Sequence, residues 1–476
     1  MINSIFKIVF ALNLLISPFY ISAQTSFPAN DDNIHYMGRV DFSNPEQPTY
    51  IYPGTSIKAK FNGTEITAII HDYGNGTDEG GNFYKIFIDG QIVTEQLKVS
   101  SGEASYLLAS GLTVNDHIIE IMKITEGASG KSSFMGFIIS GGLETLQKFE
   151  PAPQKRIEFI GDSWTCGFGN LSQFVSGQAS MVYSNYQASN EDNYYAWGPI
   201  CARAIGAQYH VIATSGRGLY RNNTGSMTNT LPKNYDNILE DDATYSWNHS
   251  NYHPDVISIH LGTNDLAQEE EGQLYKLDDE AFKQTYIDFI TKLLSIHPCS
   301  NIIICFGNSK SDSWPTWTQQ LSRLRNISHD VASNFNENVT TLELPFTAEK
   351  WTGDLTDDCG YGDAWHPSKC SHEEMGSKLI EKINTMNINW GDTSCLLSAN
   401  ELTSNEFRLF YPNPVEKKLI VKNIMPNTNW FIYNALGQNK LSGFGNIIDV
   451  SSLQRGIYFL KTINMSKSQS ITFVKK

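Results

Sequence analysis

Two stretches of the chain place a polar side chain where an apolar run ends. Ser163 follows the run RIEFIG, and Asn264 follows the run DVISIHLG. Because ligands of open α/β sheets bind outside the carboxyl ends of the strands, we expect both residues at one edge of a sheet. There the Ser163 hydroxyl could attack a carbonyl carbon, and the Asn264 carboxamide could bind the resulting oxyanion. Taken alone, each stretch is better explained as an ordinary turn, so the hypothesis depends on their combination.

A third apolar run, in VIATSGRGLYRN, ends at Gly216 and Gly218. A main-chain N–H can approach a ligand closely at a glycine, because no Cβ stands in the way. The Ser163 amide, a loop-glycine amide and the Asn264 carboxamide would then give three donors to one oxygen, as acyl transfer requires. Three such strand ends at one edge are harder to explain as unrelated turns.

The stretch CGYGDAWHPSKC supplies the base that a nucleophilic serine needs. In it, Asp363 precedes His366 by three residues. His366 could take the proton from Ser163, and Asp363 could accept a hydrogen bond from the other ring nitrogen and so fix the tautomer. The alternative is that Asp363 caps a turn and that His366 is a surface residue. The presence of Ser163 and Asn264 disfavours this alternative. We therefore predict Ser163, His366 and Asp363 as the catalytic residues.

The segment before these motifs is predicted to be a β-sandwich or jelly-roll domain over residues 27–150. Short runs such as SIKAKF, EITAII and YKIFIDG alternate apolar and polar residues, and Gly, Asn and Asp turns separate them. Such alternation without a helical period is typical of half-buried antiparallel strands.

Residues 155–390 are predicted to form the domain that carries the motifs. Its near-continuous apolar runs suit parallel strands buried on both faces, and the segment EAFKQTYIDFITKLL has helical spacing between two of them. This pattern indicates a three-layer α/β domain with a parallel sheet. Its last helix is expected to begin near Ser371, since Ser371 and Glu374 have the spacing of a capping box.

The two ends of the chain have different compositions. Residues 1–23 have the anatomy of a secretory signal peptide, with a retained membrane anchor as the alternative. No other stretch is apolar enough to span a bilayer, so no membrane span is expected in the mature chain. Residues 391–406 are polar and are interpreted as a linker, and residues 407–476 as a small all-β domain.

The overall composition disfavours nucleic acid and anionic membranes as partners. The chain has 35 Lys and Arg against 50 Asp and Glu, a net charge of −15, and no basic block. No CxxC spacing or His/Cys cluster indicates zinc, and the chemistry above needs no metal or organic cofactor. Export would permit disulfides, and Cys359–Cys370 is the most plausible of the possible pairs; two unpaired thiols are the alternative.

The motifs carry a resemblance to a known family. GDSWTCGFGN, SGRG, GTND and DAWH, in this order, resemble the four signature blocks of the SGNH, or GDSL-type, hydrolases. The front domain, with GRVDF, PGTSIKAKFNGTEI and KIFIDG, resembles that of carbohydrate esterase family 2. The resemblance spans residues 33–390 and implies the removal of acetyl groups from plant-wall polysaccharides such as xylan and glucomannan.

Carried over by position, the resemblance gives a role to each motif residue. It implies Ser163 as the nucleophile, His366 as the base and Asp363 as its partner, although some members of the family use a Ser–His dyad. The oxyanion donors would be the Ser163 amide, the Asn264 carboxamide and the Gly218 amide, which is preferred over the Gly216 amide. Trp164 stands where the family usually has an aliphatic residue.

Trp365, beside His366, could stack on a sugar ring, as aromatic side chains do at carbohydrate sites. It could equally be a core residue.

The tail, with LFYPNPVEKKLIV and GIYFLK, resembles the sorting domain of the type IX secretion system. This implies passage by that machinery to the cell surface or the medium; a small carbohydrate-binding module is the alternative.

The sequence leaves rival functions open. The same chemistry could act on a peptidoglycan acetyl group or on a lipid ester, although the chain has no long apolar insert that could serve as a lipase lid. The chain could also be a catalytically inactive carbohydrate-binding protein, against which the intact Ser163, Asn264 and His366 argue.

Overall fold

The structure is a computed structural model of the 476-residue chain. It describes residues 24–148, 155–172, 187–307, 309–345, 362–363, 366–394, 410–411, 414–421, 429–434, 437–464 and 467–476. The predicted signal peptide, Cys359, Trp365 and most of the predicted linker lie outside these residues.

The front domain consists of two antiparallel sheets. Its strands are β1 (Gln24–Pro28), β2 (Ile34–Met37), β3 (Thr49–Tyr50), β4 (Ser56–Asn62), β5 (Glu65–Asp72), β6 (Phe83–Ile88), β7 (Gln91–Lys98), β8 (Gly102–Ser110), β9 (Asp116–Lys123), β10 (Ser132–Ser140) and β11 (Thr145–Gln147). One sheet has the order β1-β10-β5-β8, with β3 on β10, and the other has the order β11-β4-β9-β6-β7, with β2 on β4. The β1 strand begins three residues before the predicted start of the domain.

Strand β5 shows why the alternating pattern folds in this way. Its residues alternate strictly between partly and fully buried, with Ile66, Ala68 and Ile70 at most 1% exposed. Because successive side chains of a strand point to opposite faces, these three side chains enter the core between the sheets. Each large aliphatic side chain buried there contributes roughly 1.5–3 kcal/mol. The predicted β-sandwich is confirmed.

The second domain is built on a five-stranded parallel sheet. Its strands are β12 (Arg156–Gly161), β13 (Gln208–Ala213), β16 (Val256–His260), β17 (Asn301–Phe306) and β18 (Val339–Glu343), and a separate hairpin is formed by β14 (Asn237–Leu239) and β15 (Asp242–Ser246). The sheet order is β13-β12-β16-β17-β18. The neighbours Phe159 and Ile160 are both fully buried, so both faces of β12 are covered, as the apolar run predicts.

Helices connect the parallel strands, which confirms the predicted α/β class. They are α1 (Ser163–Cys166), α2 (Trp197–Ile205), α3 (Leu231–Asn234), α4 (Thr263–Ala267), α5 (Asp279–Ile296), α6 (Gln320–Ala332) and α7 (Lys369–Thr385). Helix α6 packs on β17 and β18, and α2 packs on β13 and α7. In α5, the side chains of Phe282, Tyr286, Phe289 and Ile290 are buried, as their helical spacing predicts.

The start of α7 corrects one expectation. The helix begins at Lys369, and the hydroxyl of Ser368 caps it by accepting a hydrogen bond from Ser371 N at 3.3 Å. Ser371 is therefore inside the first turn and is not the cap. Ser368 and Ser371 each precede a polar residue by three positions. The spacing alone therefore could not show which of the two serines caps the helix.

The C-terminal region is all-β, as predicted. Its strands are β19 (Phe410–Tyr411), β20 (Lys418–Val421), β21 (Asn429–Asn434), β22 (Asn439–Phe444), β23 (Ile447–Asp449), β24 (Gly456–Asn464) and β25 (Lys467–Lys475). They form two sheets, β19-β20-β23 and β22-β21-β24-β25. Ile432, Leu460 and Phe473 are fully buried in its core. Among the helices that the structure describes, none is long and apolar enough to cross a membrane.

Candidate active site

Ser163 lies where β12 passes into α1. Asp162 caps the helix in an extended conformation, with its carboxylate accepting from Trp164 N at 3.1 Å, and Ser163 is the first helical residue. A Cβ at Gly161 would lie 2.0 Å from Thr165 Oγ1, so the tight strand-to-helix connection requires a glycine. Ser163 is 6% exposed, which leaves its hydroxyl at the floor of the site.

His366 is in hydrogen-bond contact with Ser163. Its Nε2 lies 2.7 Å from Ser163 Oγ, which is the distance that a general base needs. Its Nδ1 lies 3.2 Å from the main-chain oxygen of Asp363. The structure therefore brings the predicted nucleophile, base and aspartate together, while the role of the Asp363 carboxylate stays a prediction.

The loop of His366 is tied to the loop that follows α1. Asp363 N donates to Gly169 O at 3.0 Å, and Gly362 N donates to His366 O at 2.7 Å. Gly169 has φ +62°, and a Cβ there would lie 2.4 Å from the Asp363 Cβ. A glycine at position 169 is therefore needed for the two loops to approach, and their contact sets the position of His366.

Two aromatic rings pack against the imidazole of His366. The Phe168 ring centroid lies 4.3 Å from that of His366, and the Trp164 centroid lies 6.1 Å away. Trp164 is 4% exposed and also stacks on the buried His260. These contacts restrict the orientation of the imidazole ring. Sequence reasoning missed Phe168, since an aromatic residue after a nucleophile carries no recognisable signal by itself.

Asn264 reaches the same edge of the sheet from α4. Gly262, with φ +116°, is the N-cap residue that precedes the helix, and Asn264 is the second helical residue. Asn264 Nδ2 donates to Asp162 Oδ2 at 3.2 Å and to Arg217 O at 2.8 Å. Asn264 is thus linked to the Ser163 turn and to the glycine loop after β13, as the prediction of three converging strand ends requires.

The two glycines of that loop differ in what their amides contact. Gly218 N donates to Asn222 Oδ1 at 3.1 Å, so this amide is already used within the protein. Among the residues that the structure describes, none accepts a hydrogen bond from Gly216 N. This geometry counts against the predicted Gly218 and favours Gly216 as the oxyanion donor. The prediction of Gly218 rested on its distance from the strand end. That distance could not show that the Asn222 side chain would accept a hydrogen bond from the Gly218 amide.

Family comparisons agree with this geometry. Residues 36–148 match the model described as carbohydrate esterase 2 N-terminal, residues 159–373 match the GDSL-like lipase/acylhydrolase family, and residues 409–476 match the secretion system C-terminal sorting domain. The chain carries a carbohydrate esterase 2 N-terminal domain. Its second domain is a GDSL-type carboxylic ester hydrolase domain.

The individual relatives that match the chain include proteins named as esterases. The chain is 29% identical over 363 residues to the cellulase/esterase CelE of Acetivibrio thermocellus, a match that covers 76% of this chain and 40% of that protein. It is 26% identical over 317 residues to an acetylxylan esterase/glucomannan deacetylase of Cellvibrio japonicus, covering 63% of this chain and 81% of that protein. A family two carbohydrate esterase from Clostridium thermocellum, solved in complex with cellohexaose, is 28% identical and superposes with a TM-score of 0.63 over 74% of this chain and 98% of its own.

Asp265 fixes the far half of the glycine loop. Its carboxylate is fully buried and accepts from three consecutive amides, Leu219 N at 2.9 Å, Tyr220 N at 2.7 Å and Arg221 N at 2.9 Å. Burial raises the pKa of Asp265 to about 6, and the three amides oppose that rise. Nothing in the sequence indicated this role of Asp265 beyond its place after Asn264.

His372 lies behind the candidate active site, where its ring contacts the main chain of α2. It is fully buried, and its Nδ1 accepts from Trp197 N at 3.3 Å. Burial lowers its pKa to about 3, with smaller contributions from His366 and His260. His372 is therefore neutral at ordinary pH and serves the packing of α7, in line with the expectation that it belongs to the start of a helix.

One group of buried side chains in the described part of the chain has ligand atoms close enough for a metal. Glu126, Cys166 and Glu191 bring such atoms within 4.8 Å of one another. The Cys166 thiol lies 3.7 Å from Glu126 Oε2, and burial, followed by Glu126, raises the pKa of this thiol, which keeps it protonated. A protonated thiol is a poor ligand. The Glu126 carboxylate is already bonded to Ser215, so we assign the group a structural role.

Proposed function

We propose that this chain is a secreted carbohydrate O-acetyl esterase that deacetylates plant-wall polysaccharides such as xylan and glucomannan. The observation that carries the proposal is the 2.7 Å contact between His366 Nε2 and Ser163 Oγ in a chain that carries a carbohydrate esterase 2 N-terminal domain. The protein spans only 40% of the length of CelE, so its activity is argued from its own site.

The site supports an acyl-enzyme mechanism. Ser163 Oγ attacks the acetyl carbonyl carbon while His366 Nε2 takes the hydroxyl proton. The tetrahedral intermediate then collapses, the ester bond to the sugar breaks, and protonated His366 gives its proton to the leaving sugar oxygen. Water, deprotonated by the same imidazole, attacks the acetyl group on Ser163 and releases acetate.

Three donors are available for the oxyanion. They are the amides of Ser163 and Gly216 and the carboxamide of Asn264. The carboxamide already makes two contacts, and the longer one, 3.2 Å to Asp162, is the one that an oxyanion would replace. Because the donors are held before substrate arrives, little reorganisation is needed in the transition state.

The substrate class follows from the relatives. Two curated proteins similar to this chain are named acetylxylan esterase/glucomannan deacetylase, and a solved relative was captured with cellohexaose. These names support β-linked plant polysaccharide as the carrier of the acetyl group. Trp365, which lies outside the described residues, remains the proposed sugar-stacking side chain.

The ends of the chain support an extracellular location. A sorting domain matches residues 409–476, and the predicted signal peptide precedes the front domain. We infer that the protein crosses the inner membrane by its signal peptide and reaches the cell surface or the medium through the type IX machinery.

The proposal is tested by measuring acetate release from acetylated xylan, acetylated glucomannan and acetylated peptidoglycan, side by side with fatty-acid release from a lipid ester. The Ser163→Ala protein gives the background. We expect release from the two plant polysaccharides to exceed that from the other substrates and to depend on Ser163. Faster release from peptidoglycan or lipid would change the substrate class, and binding of xylan without release would identify an inactive binding protein.

A further inference from the structure

Glu126 of the front domain contacts the hydrolase domain next to its oxyanion loop. Glu126 lies after β9, just before a short 3₁₀ turn, and is fully buried. Its Oε2 accepts from Ser215 N at 2.7 Å, and its Oε1 accepts from Ser215 Oγ. Both carboxylate oxygens therefore accept from Ser215, the residue that precedes Gly216.

The main chain of Glu126 is itself held by hydrogen bonds. Glu126 N donates to Glu191 Oε1 at 3.0 Å. The ammonium group of Lys123, also fully buried, donates to the main-chain oxygens of Thr125 at 2.5 Å and Glu126 at 3.1 Å. A buried charge is tolerated only when it is paired and hydrogen-bonded, and the Lys123 ammonium meets this condition by binding the main-chain oxygens. Glu126 is thus anchored on its own side and can serve as a fixed point for Ser215.

The glycine loop after β13 is held at two places. Glu126 holds Ser215 at one end, and Asp265 holds the amides of residues 219–221 at the other. Gly216 and Arg217 lie between these anchors, and Arg217 O accepts from Asn264 Nδ2 at 2.8 Å. A shift of Ser215 would therefore move the Gly216 amide directly and the Asn264 carboxamide through Arg217.

We propose that Glu126 is a positioning residue for the oxyanion hole, by which the front domain fixes two of the three donors in the hydrolase domain. This inference rests on the proposed esterase function. It gives the front domain a part in catalysis that is separate from any part in binding polysaccharide. Since catalysis is sensitive to small displacements of such donors, loss of the contact should slow the chemical step.

The test compares Glu126→Gln, Ser215→Ala and the double variant on p-nitrophenyl acetate and on acetylated xylan. Glu126→Gln keeps the shape of the side chain, but only its Oε1 can accept a hydrogen bond, because its Nε2 is a donor. We therefore expect kcat to fall about ten-fold or more on both substrates, while KM stays within about two-fold of the wild-type value. Ser215→Ala removes only the hydroxyl contact and should cost less. If Glu126 acts through Ser215, the double variant should be no slower than Glu126→Gln, because coupled residues are not additive.

A matched control is Glu158→Gln. Glu158 is also a buried carboxylate between the two domains, where it accepts from Arg39 Nη2 at 3.4 Å and from Tyr235 Oη at 2.5 Å, away from the glycine loop. This change should lower the melting temperature and leave kcat within about two-fold. Equal losses of kcat in the two variants, a change confined to KM, or an unchanged kcat for Glu126→Gln would overturn the inference. A wild-type protein that hydrolyses neither ester would instead remove the proposed function.

Discussion

His366 Nε2 lies 2.7 Å from Ser163 Oγ, although the two residues are 203 positions apart in the chain. Ser163 starts the helix after strand β12, and His366 comes from a loop that is hydrogen-bonded to the Ser163 segment at Gly169. The contact is therefore built into the fold, because two separate segments reach the same edge of one parallel sheet.

Replacing Ser163 with Ala should abolish esterase activity. The substitution removes the nucleophile, and losses of a catalytic serine are typically on the order of 10⁴-fold or more in kcat. The side chain is small, so the melting temperature and circular dichroism should be those of the wild type. Retention of more than a small fraction of turnover on p-nitrophenyl acetate would show that Ser163 is not the nucleophile.

Asn264→Ala should lower kcat by roughly 10²–10³, the usual loss for one oxyanion donor, with little change in KM. Asn237→Ala is a suitable control, because Asn237 is another buried carboxamide, bonded to Glu240 O in the β14–β15 hairpin and not to the site. It should alter stability without altering kcat. A rise in KM alone for Asn264→Ala would make Asn264 a substrate-binding residue.

Gly169→Ala should slow catalysis by displacing the His366 loop. The new Cβ would lie 2.4 Å from the Asp363 Cβ, in addition to the strain of a non-glycine residue at φ +62°. Gly206→Ala is matched for strain, since Gly206 has φ +72° and nothing within 4 Å of its Cβ position. We expect kcat to fall about ten-fold or more only for Gly169→Ala. The strain costs each variant about 1 kcal/mol of stability, and the clash adds to this loss in Gly169→Ala. Equal kcat values in the two variants would contradict the role given to the loop contact.

His372 should make the protein less stable in mild acid. The folded protein holds the pKa of His372 at about 3, by burial, whereas the unfolded chain protonates it near pH 6.5. Lowering the pH from 7 to 5 therefore favours the unfolded state by about 2 kcal/mol through this residue, because one pKa unit is worth about 1.4 kcal/mol. In His372→Asn, whose Oδ1 can replace Nδ1 as the acceptor for Trp197 N, this part of the loss should vanish. Urea titrations of both proteins at pH 7 and pH 5 measure the loss of unfolding free energy. Equal losses in the wild type and in His372→Asn would refute the role given to His372.

Replacing Cys359 and Cys370 with Ser should lower kcat, increasingly so on warming, while the circular dichroism of the α/β domain stays unchanged. Cys370 is disulfide-bonded, and both Cys359 and Cys395 lie outside the described residues, so the pairing with Cys359 is still a prediction. A bridge between Cys359 and Cys370 would limit the movement of His366, and catalysis depends on its placement. Mass spectrometry of the unreduced protein identifies the partner of Cys370. A pairing with Cys395 would remove the bridge from this argument without touching Ser163 and His366.

The sequence by itself determined the two-sheet front domain and the parallel sheet, and it predicted Ser163 and His366 as nucleophile and base, which the structure places in contact. Alternation in EITAII and the unbroken run RIEFIG are local consequences of which strand faces are buried. Ser163, Asn264 and His366 could be predicted because each is a reactive or polar side chain in a short motif, and strand ends of a parallel sheet meet at one edge.

Only the tertiary structure decided how these residues are held. That Gly218 N is engaged by Asn222, that Phe168 packs on His366 and that Glu126 binds Ser215 are contacts between particular atoms, two of them between segments far apart in the chain. No local spacing encodes such contacts, since they depend on how β-sandwich and α/β layers pack. A hydrogen bond is directional and short-ranged, so its partner is fixed only once the distant segments have reached their places.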